Sequence, residues 1–443
     1  MAIENQSLEN FIAEELKKLR EIRGVVGYSN VWQIKVTSGR PTGELCIRVY
    51  VKQKRPAWFC KLMRCMIPRT ILGVSTDVQV LGDVRIPLPT WLQAENPHTG
   101  RQDVIMGGES ICHKDLSAGT LAVVLRDKTS KQPTILSNLH VIWNIDNPGS
   151  GCAQKGDNIL QPGPYDGGLN PQDAIATADK AIPLDFTGQE NIVDAGTALW
   201  NGSRKIALST VIQNDGSRVK LTGYKLAVPN MTAKGCSRNG DLTVVVTDID
   251  AQTAVSGYGC HKEGKVAWFS HVVIYSPSLG GGSSGTTIFD PTDGKAIALN
   301  FAGSGDFNQP GTFGIGGRMH VIMESSILNL EWPPPEEPPP PRRYGPASTE
   351  AHYEVVKSEL PIPEITANVS PMKPQEGQEI TINGRLFDLD TLNGLANREL
   401  SIDDIVPLLV RTVETDENGE YSIKYLAQDL GPHIVTVRFK GDP

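Results

Sequence analysis

A serine among glycines, a histidine after an apolar run and an aspartate between them are the residues of this chain best suited to chemistry. Ser284 lies in residues 281–287, Gly-Gly-Ser-Ser-Gly-Thr-Thr, and His140 and Asp194 precede it. A serine hydroxyl becomes a strong nucleophile when an imidazole takes its proton and a carboxylate orients that imidazole. The glycines allow backbone N–H groups to converge on the oxyanion that forms next. The pattern predicts acyl transfer by a serine nucleophile.

Four segments, in chain order, carry a resemblance to a known family. They are Ile135–Val141, Gly156–Gly163, Asn191–Leu199 and Gly282–Thr287. Over roughly residues 100 to 328 the chain resembles the bacterial and plant trypsin-like serine proteases, which have a double β-barrel of chymotrypsin type. The resemblance implies a mainly β fold and a serine endopeptidase with His140, Asp194 and Ser284 as catalytic residues. It also implies that the N–H groups of Gly282 and Ser284 form the oxyanion hole.

The strand after the nucleophile lines the specificity pocket in that family. The resemblance therefore implies a substrate pocket, and its residues are Ser278, Phe301, Ala302 and Gly303. No acidic residue occurs in Ser276–Leu279, at the expected floor of the pocket. This argues against a preference for lysine or arginine.

Each member of the triad has a plainer interpretation. Ser284 could belong to an ordinary Gly/Ser-rich loop tip, and His140 could be a strand-end histidine bonded to backbone. Asp173, in Gln172-Asp173-Ala174, also precedes an apolar run and is the alternative to Asp194. The opening Val193-Asp194-Ala195 resembles the family more closely, so Asp194 is preferred.

Ser283 stands where the family usually has an aspartate. In zymogen-type relatives that carboxylate pairs with a newly cut N-terminus and shapes the oxyanion loop. Here the loop must be held by glycines 280–282 and local hydrogen bonds, or it stays unformed until something binds. The departure also keeps a catalytically silent protease-fold scaffold or recognition protein as the alternative function.

Composition excludes several other classes of function. The 443 residues have a net charge of −8, which disfavours binding to nucleic acid or to anionic membranes. No apolar run approaches the roughly 20 residues that span a bilayer, so membrane contact is not expected. Seven cysteines without tight pairing favour a reducing, cytoplasmic setting over a disulfide framework. No cofactor is expected, and Cys60 and Cys65 lack other ligand types nearby, so no metal is expected either.

Changes in composition divide the chain into four parts. Residues 1–95 combine a polar helix with alternating strands and predict a small α+β region. Residues 96–330 alternate short β-rich runs with turns, as in a pair of barrels. A proline-rich linker covers 331–350, and the strictly alternating runs of 351–443 predict an immunoglobulin-like β-sandwich.

A basic segment between Val51 and Arg69 holds six lysines and arginines and no acidic residue. Trp58, Phe59 and Leu62 fall at helical spacing within it. It is expected to be a short amphipathic helix packed on its own domain, or else a helix that lies on a membrane surface or docks a partner. The expected partners are a protein substrate and, in addition, an activating protein or further copies of this chain.

Overall fold

A computed structural model describes most of the chain. The described residues are 12–37, 40–86, 98–261, 264–305, 308–333, 347–348, 363–366, 368–370, 379–388, 393–404, 409–426 and 435–439. The chain divides into two compact units, Met1–Pro335 and Glu336–Pro443. The division falls inside the predicted proline-rich linker, whose residues 334–346 lie outside the described ranges.

The N-terminal region contains both helices and strands. Its elements are α1 (residues 12–17), a 3₁₀ turn at Lys18–Glu21, β1 (Val25–Ser29), β2 (Gln33–Thr37), β3 (Arg40–Val51), α2 (Ala57–Leu62), β4 (Thr70–Ile71) and β5 (Val74–Val80). The helix predicted in the basic segment is short, and its Trp58 and Leu62 are exposed by 69% and 72%.

The rest of the larger unit is described in two halves, and the first half carries His140 and Asp194. Its elements are β6 (Val104–Gly107), β7 (Ser110–His113), β8 (Gly119–Thr120), β9 (Val123–Asp127), β10 (Pro133–Ser137), α3 (Leu139–Ile142), β11 (Asn158–Leu160), a 3₁₀ turn at Pro164–Asp166, β12 (Ala174–Ala181), β13 (Glu190–Asn191), β14 (Gly196–Trp200), β15 (Lys205–Ile212) and β16 (Arg218–Lys220). One eight-stranded sheet has the order β24-β9-β10-β14-β12-β11-β7-β8, with β24 contributed by the second half, and β16-β15-β6 form a smaller sheet.

The second half carries Ser284. Its elements are β17 (Gly223–Tyr224), β18 (Thr232–Ser237), β19 (Gly240–Tyr258), β20 (Lys265–Ser276), β21 (Thr287–Asp290), β22 (Lys295–Ser304), β23 (Phe313–Arg318), α4 (Met319–Glu324) and β24 (Leu330–Glu331). The pairings β20-β23-β22-β21-β18-β19 return to β20, so these six strands close into a barrel. Closure removes the free edges that an open sheet would expose.

The N-terminal strands extend the sheet of this barrel. β1 pairs antiparallel with β19, Gly27 opposite Thr253, and β3 and β5 continue outward from β1. Tyr50 donates a hydrogen bond to Asp248 of β19 at 2.6 Å. One apolar cluster contains Tyr50 and Val84 together with Phe269 of the barrel. The described part of residues 1–95 thus shares an apolar cluster with the barrel inside a single unit.

The C-terminal unit is built from two sheets of four strands. Its strands are β25 (Ala347–Ser348), β26 (Pro363–Ile365), β27 (Asn368–Ser370), β28 (Glu379–Asp388), β29 (Glu399–Asp404), β30 (Leu409–Glu414), β31 (Glu420–Leu426) and β32 (Val435–Phe439). The sheets have the orders β25-β32-β29-β30 and β26-β28-β27, with β31 on β28. Alternate residues of β28, Ile382 and Leu386, are buried against Leu400 and Val437.

Two of the cysteines form a disulfide, which differs from the expected reduced state. Cys152 follows α3 and Cys260 follows β19, and the bond joins them across 108 residues of sequence. The remaining five cysteines are free. Their spacing gave no signal for this pair because the partners meet only through the tertiary fold. Among the described residues, no helix is long and apolar enough to cross a membrane.

Candidate active site

Strand pairing brings His140 and Asp194 together. His140 lies in α3, directly after β10, and Asp194 lies just before β14. Because β10 and β14 pair antiparallel with Ser137 opposite Gly196, the residues beyond that pair meet at one end of the sheet. The side chain of Asn138 donates to the Asp194 carbonyl at 2.8 Å and fixes this junction.

The Asp194 carboxylate holds the imidazole in one orientation. Its Oδ2 lies 2.7 Å from His140 Nδ1, and its Oδ1 accepts the His140 backbone N–H at 3.3 Å. Tyr258 donates its hydroxyl to the same Oδ2 at 2.7 Å. Burial, and secondarily the charge of Asp194, raises the pKa of Tyr258 well above its usual range, so the phenol remains a donor. With Nδ1 as donor, the lone pair of the imidazole is on Nε2.

His140 Nε2 is buried and has no hydrogen-bond partner among the described residues. Burial of a nitrogen lone pair without a hydrogen-bond donor lowers the stability of a folded protein, so such atoms are uncommon and call for an explanation. A general base needs such a nitrogen facing the group whose proton it removes. Hydrogen bonds between base and nucleophile are often loose in unliganded enzymes, so the absence of a bond to Ser284 is compatible with that role.

The two candidate carboxylates have different partners. Asp173 Oδ1 accepts from Arg101 Nε at 3.2 Å and from Arg204 Nη2 at 2.8 Å. Its Oδ2 accepts the N–H of Leu169, which places Asp173 in a turn before β12. The carboxylate bonded to His140 is that of Asp194.

Ser284 lies in the loop between β20 and β21. The side chain of Asn239 donates to the carbonyls of Leu279 and Gly281, at 2.7 and 2.9 Å. Thr120 Oγ1 donates to the Gly282 carbonyl at 3.0 Å, and the Thr120 N–H donates to the Ser284 carbonyl at 2.7 Å. The carbonyls of Gly282 and of Ser284 itself are therefore held by hydrogen bonds from Thr120, and those of Leu279 and Gly281 by hydrogen bonds from Asn239.

The N–H groups expected to form the oxyanion hole remain available. No acceptor is bonded to the amide of Gly282 or Ser284 within the described part of the chain. Gly282 has φ +86°, a conformation that favours glycine. At Gly285 a Cβ would meet the Thr120 carbonyl oxygen at 2.0 Å, so this position also requires glycine.

Ser283 holds the loop in place of the expected aspartate. Its hydroxyl donates to the Gly280 carbonyl at 2.5 Å and accepts from Asn300 Nδ2 at 3.2 Å. Asn300 Nδ2 also donates to the Ser283 carbonyl at 3.0 Å. Of the two alternatives drawn from the sequence, these contacts correspond to a loop held by local hydrogen bonds.

A buried ion pair packs behind the same loop. Arg238, exposed by only 1%, donates from Nε and Nη2 to the two oxygens of Asp166, both at 2.6 Å. A Cβ added at Gly282 would lie 3.0 Å from Arg238 Nη1, so the guanidinium contacts the oxyanion loop directly. Asp166 belongs to the first half and Arg238 to the second. The pair gave no sequence signal because Arg238 follows Asp166 by 72 residues and neither lies in a motif.

The residues predicted to line the substrate pocket are divided between loop and core. Ser278 is buried, and its Oγ lies 2.9 Å from where a Cβ at Gly303 would be. Ala302 is also buried. Phe301 is buried, and its ring packs on Phe269 with centroids 4.6 Å apart.

One group of potential metal ligands occurs among the described residues. It comprises Cys152, Cys260 and His261, with His261 Nε2 3.5 Å from the Cys152 sulfur. The two sulfurs are bonded to each other, and a disulfide offers no thiolate to a metal ion.

The chain is similar to several solved structures of proteases. Thermobifida fusca protease A is 13% identical with a TM-score of 0.36, over 52% of this chain and 97% of that one. The Nocardiopsis protease is 13% identical with a TM-score of 0.37, over 51% and 97%. Cellulomonas bogoriensis chymotrypsin is 13% identical with a TM-score of 0.36, over 52% and 99%. No family model and no curated protein sequence matches the chain.

The strands described above confirm the prediction of a mainly β chain. The activities of the three proteases named above are properties of those proteins. What the chain itself can do rests on the geometry around Ser284.

Proposed function

We propose that the larger unit is a serine endopeptidase of the chymotrypsin-like type acting on protein substrates. Ser284 Oγ attacks the peptide carbonyl carbon, and His140 Nε2 takes the hydroxyl proton and then gives it to the leaving amine. Water, activated by the same nitrogen, releases the acyl group from Ser284. The amides of Gly282 and Ser284 donate to the oxyanion in both steps.

The observation that carries the proposal is the 2.7 Å contact between His140 Nδ1 and Asp194 Oδ2, with a buried Nε2 that has no partner among the described residues. Most buried side-chain polar atoms in folded proteins have a hydrogen-bond partner, so an unpartnered Nε2 on an oriented imidazole supports a chemical role for His140. The oriented imidazole and the two available amides are the parts that acyl transfer needs.

A catalytically silent scaffold is the second candidate, favoured by Ser283 at the position of the family's aspartate and by the lack of a described hydrogen bond from Ser284 to His140. The C-terminal unit, proposed as an immunoglobulin-like sandwich, would then serve recognition. In the peptidase proposal it recruits the substrate, and an activating partner or self-assembly raises activity. The cytoplasmic location predicted from the cysteines is less favoured, since disulfides such as Cys152–Cys260 persist in oxidising compartments.

Hydrolysis of a denatured protein substrate by wild type and Ser284→Ala tests the proposal. The variant should lose at least about 10³-fold in turnover with an unchanged melting temperature. Ser203→Ala, in an exposed turn between β14 and β15, is the matched control and should behave as wild type. Equal rates for Ser284→Ala and wild type would refute the nucleophile, and no hydrolysis by any preparation would favour the scaffold.

A further inference from the structure

A short N-terminal segment pairs with the strand that follows the nucleophile. The Arg85 N–H donates to the Gly303 carbonyl, and the Gly303 N–H donates to the Arg85 carbonyl, both at 3.2 Å. The two residues form an antiparallel bridge. On its other side the segment is bonded to β19, where Ile86 donates to the Ser256 carbonyl at 3.0 Å and Ser256 donates to the Val84 carbonyl at 3.2 Å.

The edge of β22 occupied by Arg85 is the edge that carries the nucleophile loop. β22 pairs with β23 along one edge, with Gly303 opposite Gly314. Along the other edge it pairs with β21, and Gly285 donates to the Asn300 carbonyl at 2.9 Å. Gly285 follows Ser284 directly, and Gly303 lies three residues beyond Asn300. At about 3.3 Å per residue, Gly303 is about 10 Å along this edge from the loop.

The direction of the segment matches that of a peptide to be cleaved. Because Arg85 is antiparallel to β22, residues 84 to 86 run from Gly303 towards the end of the edge where Ser284 lies. A substrate strand added to this edge in the same direction would bring a carbonyl to Ser284 two or three residues after the residue paired with Gly303.

We propose, on the basis of the peptidase function above, that residues Val84–Ile86 occupy the backbone-binding edge for the substrate and inhibit the enzyme in cis. The N–H and the carbonyl of Gly303 can form hydrogen bonds with Arg85 or with an extended peptide, but not with both at once. Arg85 must release Gly303 before a long substrate can bind, whereas a short acyl group that does not reach Gly303 is unaffected.

The attachment of the segment is suited to such competition. Val84 is buried in the main apolar cluster and Ile86 packs against the same cluster, so the segment is anchored on both sides of Arg85, whose own side chain is exposed. The bridge to Gly303 thus depends on two backbone hydrogen bonds rather than on side-chain packing. Bonds of this kind are individually weak, so a peptide with several backbone bonds of its own can replace them.

Arg85→Pro tests the proposal because it removes the N–H that bonds Gly303. The matched control, Arg85→Ala, keeps the N–H and changes only the exposed side chain. The probes are the p-nitrophenyl esters of acetyl-alanine and acetyl-tetra-alanine. Arg85→Pro should raise kcat/KM for the long ester about tenfold and leave the short ester unchanged, while Arg85→Ala should match wild type for both. Equal ratios of long to short ester in Arg85→Pro and wild type would overturn the proposal.

Hydrogen exchange on the wild-type chain gives a second test that needs no substitution. After complete labelling by a tetra-alanyl phosphonate, checked by intact mass, the Arg85 amide should exchange faster while the Gly303 amide stays protected. An Arg85 amide that remains equally protected would overturn the proposal. If a small fluorophosphonate fails to label the wild type at all, the peptidase function itself fails, which is a distinct outcome.

Discussion

At the residue scale, the proposed function depends on how the Asp194 carboxylate holds the His140 imidazole. Asp194 accepts from His140 at Nδ1 and at the backbone, and from Tyr258, so its position and that of the ring are both fixed. The competing carboxylate, Asp173, bonds two arginines instead. Asp194 therefore orients an imidazole, and Asp173 pairs with two arginines.

Substitution of each aspartate by asparagine should affect turnover in one case and stability in the other. Asp194→Asn should lower turnover by roughly 10⁴-fold because the amide favours the wrong imidazole tautomer. Asp173→Asn should change turnover little, and it should lower the unfolding free energy because Arg204 loses a charged partner. Steady-state kinetics and urea unfolding check both. A larger kinetic loss in Asp173→Asn would transfer the orienting role to that residue.

The sequence predicted His140, Asp194 and Ser284 because short motifs surround them in the right order. It could not predict Tyr258, which reaches Asp194 across 64 residues from the far end of a long strand. The resemblance implied that Phe301 lines the pocket, and in the structure its ring packs on Phe269. Contacts made by pairing of distant strands have no local pattern that a single sequence could display.

At the element scale, the oxyanion loop depends on supports from both halves of the larger unit. Thr120 contacts it from the first half, and Asn239 and Asn300 contact it from the second. The Arg238–Asp166 pair lies behind Gly282 and joins the two halves. The loop around Ser283 is therefore held by local hydrogen bonds and contacted by an ion pair between residues far apart in sequence, whereas the family usually has an aspartate at this position.

Removal of one partner of that pair should affect stability and turnover together. Asp166→Asn removes the carboxylate charge that faces the buried Arg238 guanidinium, so we expect about 3–5 kcal/mol lower unfolding free energy. Turnover should fall as well because the guanidinium that contacts the loop is no longer fixed. Arg101→Gln, an exposed arginine whose partner keeps Arg204, is the control and should change neither. Urea unfolding and kcat measure the two effects, and an unchanged kcat in folded Asp166→Asn would refute the positioning role.

At the scale of the whole molecule, the chain divides into two compact units, Met1–Pro335 and Glu336–Pro443. The sequence predicts a proline-rich linker over residues 331–350, because consecutive prolines do not enter a packed core. The sequence did not show that β1, β3 and β5 extend the sheet of the barrel that carries Ser284. Alternation identifies a strand but does not specify which strand it pairs with.

Truncation after Pro335 should leave a folded, reactive unit. The larger unit contains its own core and all residues of the proposed site, so its melting temperature should stay close to that of the full chain. Reaction with a small fluorophosphonate should be unchanged, whereas cleavage of a protein substrate recruited by the C-terminal unit should slow. An insoluble truncated protein would show that the C-terminal unit is needed for folding.

Labelling of the full chain with a small fluorophosphonate, followed by location of the adduct by peptide mass, tests whether Ser284 is the activated nucleophile. We expect one adduct per chain, on Ser284, formed by wild type and by Ser203→Ala and slowed by several orders of magnitude in His140→Ala. An unlabelled wild type, or an adduct on any other residue, would contradict this assignment.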